Sequence, residues 1–89
     1  FCTDDLTAIS VMNEAKNQNI KIPQDLKLIG YDGTELIQKY FPQLTTIIQP
    51  IDEIASLLAE LITLRIEDPS APLEMRYTLP VKLLQSNSI

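Results

Sequence analysis

The chain has 89 residues, 45% of them hydrophobic and 21% charged, with a mean hydropathy of +0.04; this is the make-up of a small globular unit with one core, too short for a two-domain enzyme. Twelve acidic against seven basic residues give a formal net charge of -5, and the scattered Lys and Arg form no stripe, so the composition argues against nucleic-acid or anionic membrane contact by this piece. A single cysteine and no histidine exclude an internal disulfide, the usual zinc ligand sets and His-dependent nucleophilic triads.

Phe1-Cys2-Thr3 reads as the end of a strand cut partway along, and the chain as the tail of a longer one; Cys2 reads as a small buried residue. From Asp4, the apolar residues Leu6, Ala8, Ile9, Val11, Met12 and Ala15 recur at helical spacing, which predicts a helix over about 5–18. Asp4 or Asp5 caps its start and Asn19 suits its left-handed closing position. After a connector over Ile20 to Pro23, Leu26 to Tyr31 reads as a buried strand ending at the turn Asp32-Gly33. Thr34 caps a short helix through Glu35, Leu36, Ile37 and Lys39, which Pro42 terminates.

Leu44 to Ile48 is apolar and β-branched, a second buried strand. A helix then opens at Pro50, where a missing N–H costs nothing, with Asp52 and Glu53 suited to the dipole of the first turn. Its stripe is Ile51, Ile54, Ala55, Leu58, Leu61 and Ile62, and Leu57 and Leu64 widen that stripe beyond what one neighbour covers. A loop follows over Glu67 to Pro72, and Met75 to Pro80 with Val81 to Leu84 predicts one or two closing strands, Pro80 marking the break.

This alternation calls for an α/β fold with a parallel sheet and helical crossovers. Ligands in such sheets sit at the carboxyl ends of strands, where Asp4 and Asp5, Tyr31 and Asp32, and Gln49 all fall. Carboxylate and amide oxygens accept from sugar hydroxyls, and an aromatic such as Tyr31 covers an apolar sugar face. Each residue also has a plainer account: Asp4 and Asp5 as helix caps, Asp32-Gly33 as a turn, Tyr31 as core, Gln49 as the residue before a Pro-started helix. Their joint placement at strand ends favours binding, and no nucleophile and base pair is present to favour catalysis.

Three strings carry a resemblance: Phe1-Cys2-Thr3-Asp4-Asp5-Leu6-Thr7-Ala8, Ile20-Lys21-Ile22-Pro23 through Leu28-Ile29-Gly30-Tyr31-Asp32, and Leu44-Thr45-Thr46-Ile47-Ile48-Gln49-Pro50. In type, order and spacing the chain resembles the C-terminal quarter of lactose-repressor (LacI/GalR) family transcriptional regulators. Gly30-Tyr31-Asp32-Gly33-Thr34 resembles the version found in repressors of sucrose or ribose operons.

The resemblance implies a periplasmic-binding-protein-like effector domain of two lobes, preceded by a helix-turn-helix DNA-binding head that lies outside this chain. Residues 1–48 and 81–89 then belong to the C-terminal lobe, and 49–80 cross over to the N-terminal lobe. By position, Asp4 and Asp5 match the family's Asn-Asp pair, Asp32 its acidic effector contact, and Gln49 its crossover residue. Ile9 and Tyr40 match positions of its dimer interface. Asp4 in place of the commoner Asn changes a donor and acceptor into acceptors only, so the effector cannot be copied from a relative. The implied protein is a cytoplasmic homodimer that binds a small-molecule effector, a sugar, and operator DNA through the absent head, with no cofactor, metal or catalytic residue. A periplasmic sugar-binding protein shares the fold and is the nearest alternative; a small α/β enzyme is the more distant one. A detached fragment leaves part of the second long helix uncovered, which predicts association.

Overall fold

The computed structural model describes residues 1–89. The elements run α1 (Asp5–Asn17), β1 (Ile29–Asp32), α2 (Glu35–Tyr40), β2 (Thr45–Ile48), α3 (Ile51–Glu67) and β3 (Lys82–Leu84). They divide between two units, Phe1–Gln49 with Val81–Ile89, and Pro50–Pro80.

In the first unit, Asp4 has extended backbone and its carboxylate accepts from the Thr7 amide at 2.7 Å, which settles the capping role on Asp4 and leaves Asp5 as the first helical residue. The helix closes in a Schellman motif: the Ile20 amide donates to the Ala15 carbonyl (2.8 Å) and the Asn19 amide to that of Lys16 (3.2 Å). Asn19 takes a φ of 58° there, which asparagine tolerates. At about 100° per residue, the face carrying buried Asp5, Ala8 and Ala15 leaves Leu6 outside it, 72% exposed. The apolar stripe is therefore shifted from the expected one, with a carboxylate in the inward place of the first turn.

Leu26 to Leu28 lie outside the strand expected to hold them. Lys21 ties up that segment: its amide donates to Asp25 Oδ2 (2.9 Å) and its carbonyl accepts from the amides of Asp25 and Leu26. The strand starts at Ile29; Phe1-Cys2-Thr3, expected to end a strand, forms none, although the Cys2 amide donates to the Ile29 carbonyl at 2.9 Å. β1 and β2 pair in parallel, Gly30 against Thr46 and Asp32 against Ile48. A single closing strand, β3, joins the far side of β2 in the antiparallel sense, Ile48 against Lys82. The segment from Met75 to Pro80 adds no strand.

The core gathers Cys2, Ala8, Leu28, Ile37 and Leu44, flanked by Ile9, Val11, Met12, Ile22 and Phe41. Buried Ser88 closes the unit: its hydroxyl donates to the Leu28 carbonyl (2.6 Å) and accepts from the Thr45 amide (2.7 Å). These bonds hold the starts of both parallel strands, and hence the register that aligns their carboxyl ends.

In the second unit, α3 follows Pro50 with Asp52 and Glu53 in its first turn, and none of its residues is buried. Ile51, Leu58, Ile62 and Ile66 are each more than half exposed. Arg65 donates to the Pro69 carbonyl (2.6 Å) and the Asp68 carboxylate accepts from the Ser70 hydroxyl (2.9 Å), which shape the loop after it. No helix is long and apolar enough to cross a membrane.

Candidate functional site

Parallel pairing in register brings the ends of β1 and β2 together, and with them Asp32 and Gln49. The Gln49 side-chain amide donates to Asp32 Oδ1 at 2.6 Å, and the Gln49 backbone amide donates to the Asp32 carbonyl at 3.1 Å. Both residues are half-buried. Asp32 has a φ of 119°, a conformation an L-residue with a side chain rarely adopts and one that costs on the order of 1–3 kcal/mol unless its surroundings enforce it.

Those surroundings are a set of hydrogen bonds at the Asp32-Gly33 turn. Gly33 has a φ of 61°, and a Cβ there would lie 2.6 Å from Ile48 Cγ1, so the turn lies directly on the end of β2. Its amide donates to Asp5 Oδ2 (2.8 Å) and its carbonyl accepts from the Gln38 side-chain amide (2.7 Å). Thr34, next in the chain, caps α2 by accepting from the Ile37 amide at 3.3 Å.

Asp5 is only 2% exposed. Beyond the Gly33 amide, it accepts from the Thr46 hydroxyl through Oδ1 at 2.6 Å. Gly30 makes room for it, because a methyl group on Gly30 would overlap that oxygen. The carboxylate thus joins the first turn of α1 to the end of β1 and the interior of β2, and a buried carboxylate is tolerated where donors surround it.

Asp4 is half-buried. Hydrogen bonds from the Thr7 amide first, and then from the Thr7 side chain, hold its carboxyl below the ordinary value of 3.8. Tyr31 is half-buried and meets the exposed Phe1 ring edge to face, with centroids 6.5 Å apart. Ile9 packs partly against the core, whereas Tyr40 is 63% exposed with the Lys39 ammonium 5.6 Å from its ring centre. The Asp and Glu side chains and the one Cys form no group of three or more suited to a metal ion.

The structure therefore gathers Asp5, Asp32 and Gln49 into one hydrogen-bonded turn, and puts Asp4 to work on its own helix. It also adds three residues the sequence did not single out for the site: Gly30, Gln38 and Thr46. Gln38 sits five residues from its partner, within reach of a local reading. Thr46 lies 41 positions from Asp5, and nothing local signals that contact.

Comparison with known proteins gives a consistent result. Residues 1–89 match the periplasmic binding protein-like domain. The sucrose operon repressor of Pediococcus pentosaceus is 48% identical over 85 residues, which is 96% of this chain and 26% of that protein. The sucrose operon repressor of Streptococcus mutans serotype c is 47% identical over 89 residues, 100% of this chain and 27% of its own length. The chain thus spans about a quarter of the length of these curated relatives. Among solved structures, a LacI family transcriptional regulator from Enterococcus faecalis V583 with bound ribose superimposes with a TM-score of 0.84 at 34% identity, over 96% of this chain and 32% of that one.

Proposed function

The chain belongs to the periplasmic binding protein-like domain family, in the form found in LacI-family regulators, and from that premise we propose that it is the effector-contacting C-terminal part of a bacterial sugar-operon repressor. The observation that carries the proposal is the Asp32 and Gln49 pair at adjacent strand ends, bonded at 2.6 Å. That bond uses one Asp32 oxygen and one amide hydrogen. The second carboxylate oxygen, the Gln49 carbonyl and the second amide hydrogen are left to meet sugar hydroxyls, which both donate and accept. Tyr31 and Asp4 complete the contact set, Tyr31 against an apolar sugar face and Asp4 through its carboxylate. The sucrose operon repressors and the ribose-bound regulator among the relatives support a neutral sugar as the effector.

In this reading, residues 1–48 and 81–89 belong to the C-terminal lobe of the effector domain and 49–80 to the crossover and N-terminal lobe. Ile9 and Tyr40 lie in a homodimer interface, operator DNA is bound by a separate N-terminal head, and the protein works in the cytoplasm by binding rather than turnover. Sugar held at the strand ends biases a two-state equilibrium of the dimer through its differential affinity for the two states, a coupling of about 1–3 kcal/mol.

The test is Asp32→Ala in the full-length protein, with operator binding measured as sucrose and ribose are titrated. The expected result is a loss of sugar response of about 10- to 100-fold, much larger than any loss of operator affinity. Equal loss of both would mean a folding defect and refute the site.

A further inference from the structure

We propose that Asp5 is a positioning residue that takes no ligand itself and fixes the Asp32 carboxylate by clamping the peptide bond between Asp32 and Gly33. The inference rests on the reading of Asp32 as a sugar contact. Asp5 and Asp4 are adjacent in sequence, yet the structure separates their tasks. Asp4 caps α1, whereas Asp5 is 2% exposed with both oxygens occupied, by the Gly33 amide and the Thr46 hydroxyl.

The Gly33 amide is the N–H side of the Asp32-Gly33 peptide, and Asp5 accepts from it at 2.8 Å. The carbonyl side of that same peptide accepts from the Gln49 amide at 3.1 Å. A peptide plane held on both edges cannot rotate, and its orientation determines ψ of Asp32 and supports the φ of 119°. The direction in which the Asp32 side chain leaves the backbone follows from those angles. Asp5 is itself fixed: Thr46 holds Oδ1, and Gly30 leaves the space that oxygen fills. Asp5 thus acts on a sugar through Asp32, and the contact set of the site is Asp4, Tyr31, Asp32 and Gln49.

A double-mutant cycle in the full-length protein tests this, with sucrose as the probe, ribose as the second, and far-UV circular dichroism melts to establish folding. Asp5→Asn retains the shape but offers a single acceptor for two donors. It is expected to raise the sugar Kd about tenfold in the parent and less than about twofold on an Asp32→Asn background. Effects that multiply would make Asp5 an independent contact and overturn the proposal. So would an unchanged Kd in a folded Asp5→Asn protein, which would leave Asp5 with a purely structural role. If Asp5→Asn does not fold, Thr46→Val, which removes only the hydroxyl donor, takes its place in the cycle with the same expected non-additivity. An Asp32→Asn protein that binds sugar as the parent does, or a parent that binds neither sugar, overturns the sugar-site reading and the positioning role with it.

Discussion

Replacing Gly30 by alanine sets a favourable local effect against an unfavourable tertiary one. Within a strand, alanine is ordinarily preferred to glycine by about 0.5–1 kcal/mol, because glycine loses more backbone freedom on folding. Here the new methyl group would overlap Asp5 Oδ1 and stand 3.3 Å from Leu44 Cδ2. The carboxylate has to move, and it gives up the 2.6 Å bond from Thr46 in doing so. A hydrogen bond to a charged group is worth about 1.5–3 kcal/mol, and overpacking a filled site costs about 1–3 kcal/mol. The expected net effect is destabilisation of about 2–5 kcal/mol, a large share of the stability of one domain. Urea unfolding of the full-length protein, followed by circular dichroism, measures it. On an Asp5→Ala background the methyl group enters space the carboxylate has vacated, so Gly30→Ala is expected to cost less than about 1 kcal/mol there. A Gly30→Ala protein at least as stable as its parent, or an equal cost in both backgrounds, would refute the close approach of Asp5 to β1.

Ser88→Ala removes the donor to the Leu28 carbonyl and the acceptor for the Thr45 amide. Two orphaned backbone groups at about 1–3 kcal/mol each predict a loss of about 2–6 kcal/mol in urea unfolding, and a change within about 0.5 kcal/mol would show that water replaces both bonds. Because the folded-state pKa of Asp4 is depressed below 3.8, its contribution to stability is present above that value and is lost as pH falls through the folded pKa. Asp4→Asn keeps a capping oxygen, so it should flatten the acid limb of stability against pH with little effect at neutral pH; an unchanged acid limb in urea midpoints would remove Asp4 from the account. The isolated 89-residue chain, with Ile51, Leu58, Ile62 and Ile66 of α3 exposed, should associate with rising concentration in analytical sedimentation. A monodisperse, cooperatively unfolding monomer would contradict that.

Features that depend on neighbours in sequence were legible in the chain. The Thr34 cap, the left-handed Asn19, the Pro50 start of α3 and the alternation of strands and helices each rest on contacts within about five residues. The strings around Gly30-Tyr31-Asp32 and Leu44 to Gln49 also indicated the family. Leu26 to Leu28 misled, because their apolar pattern fits a strand while the amides of Asp25 and Leu26 are spent on the Lys21 carbonyl. The antiparallel direction of β3 was likewise out of reach, since strand direction depends on the path the chain takes back to the sheet.

The chain alone was enough to locate the three helices and the approximate places of the three strands, to put Tyr31, Asp32 and Gln49 near the ends of β1 and β2, and to exclude His-based chemistry. Only the tertiary structure divided the work between the two adjacent aspartates, sending Asp4 to cap its own helix and Asp5 inward to Gly33 and Thr46. The physical reason is distance along the chain. The donors that Asp5 meets lie 28 and 41 residues away, and parallel pairing of β1 with β2 is what brings both to one carboxylate.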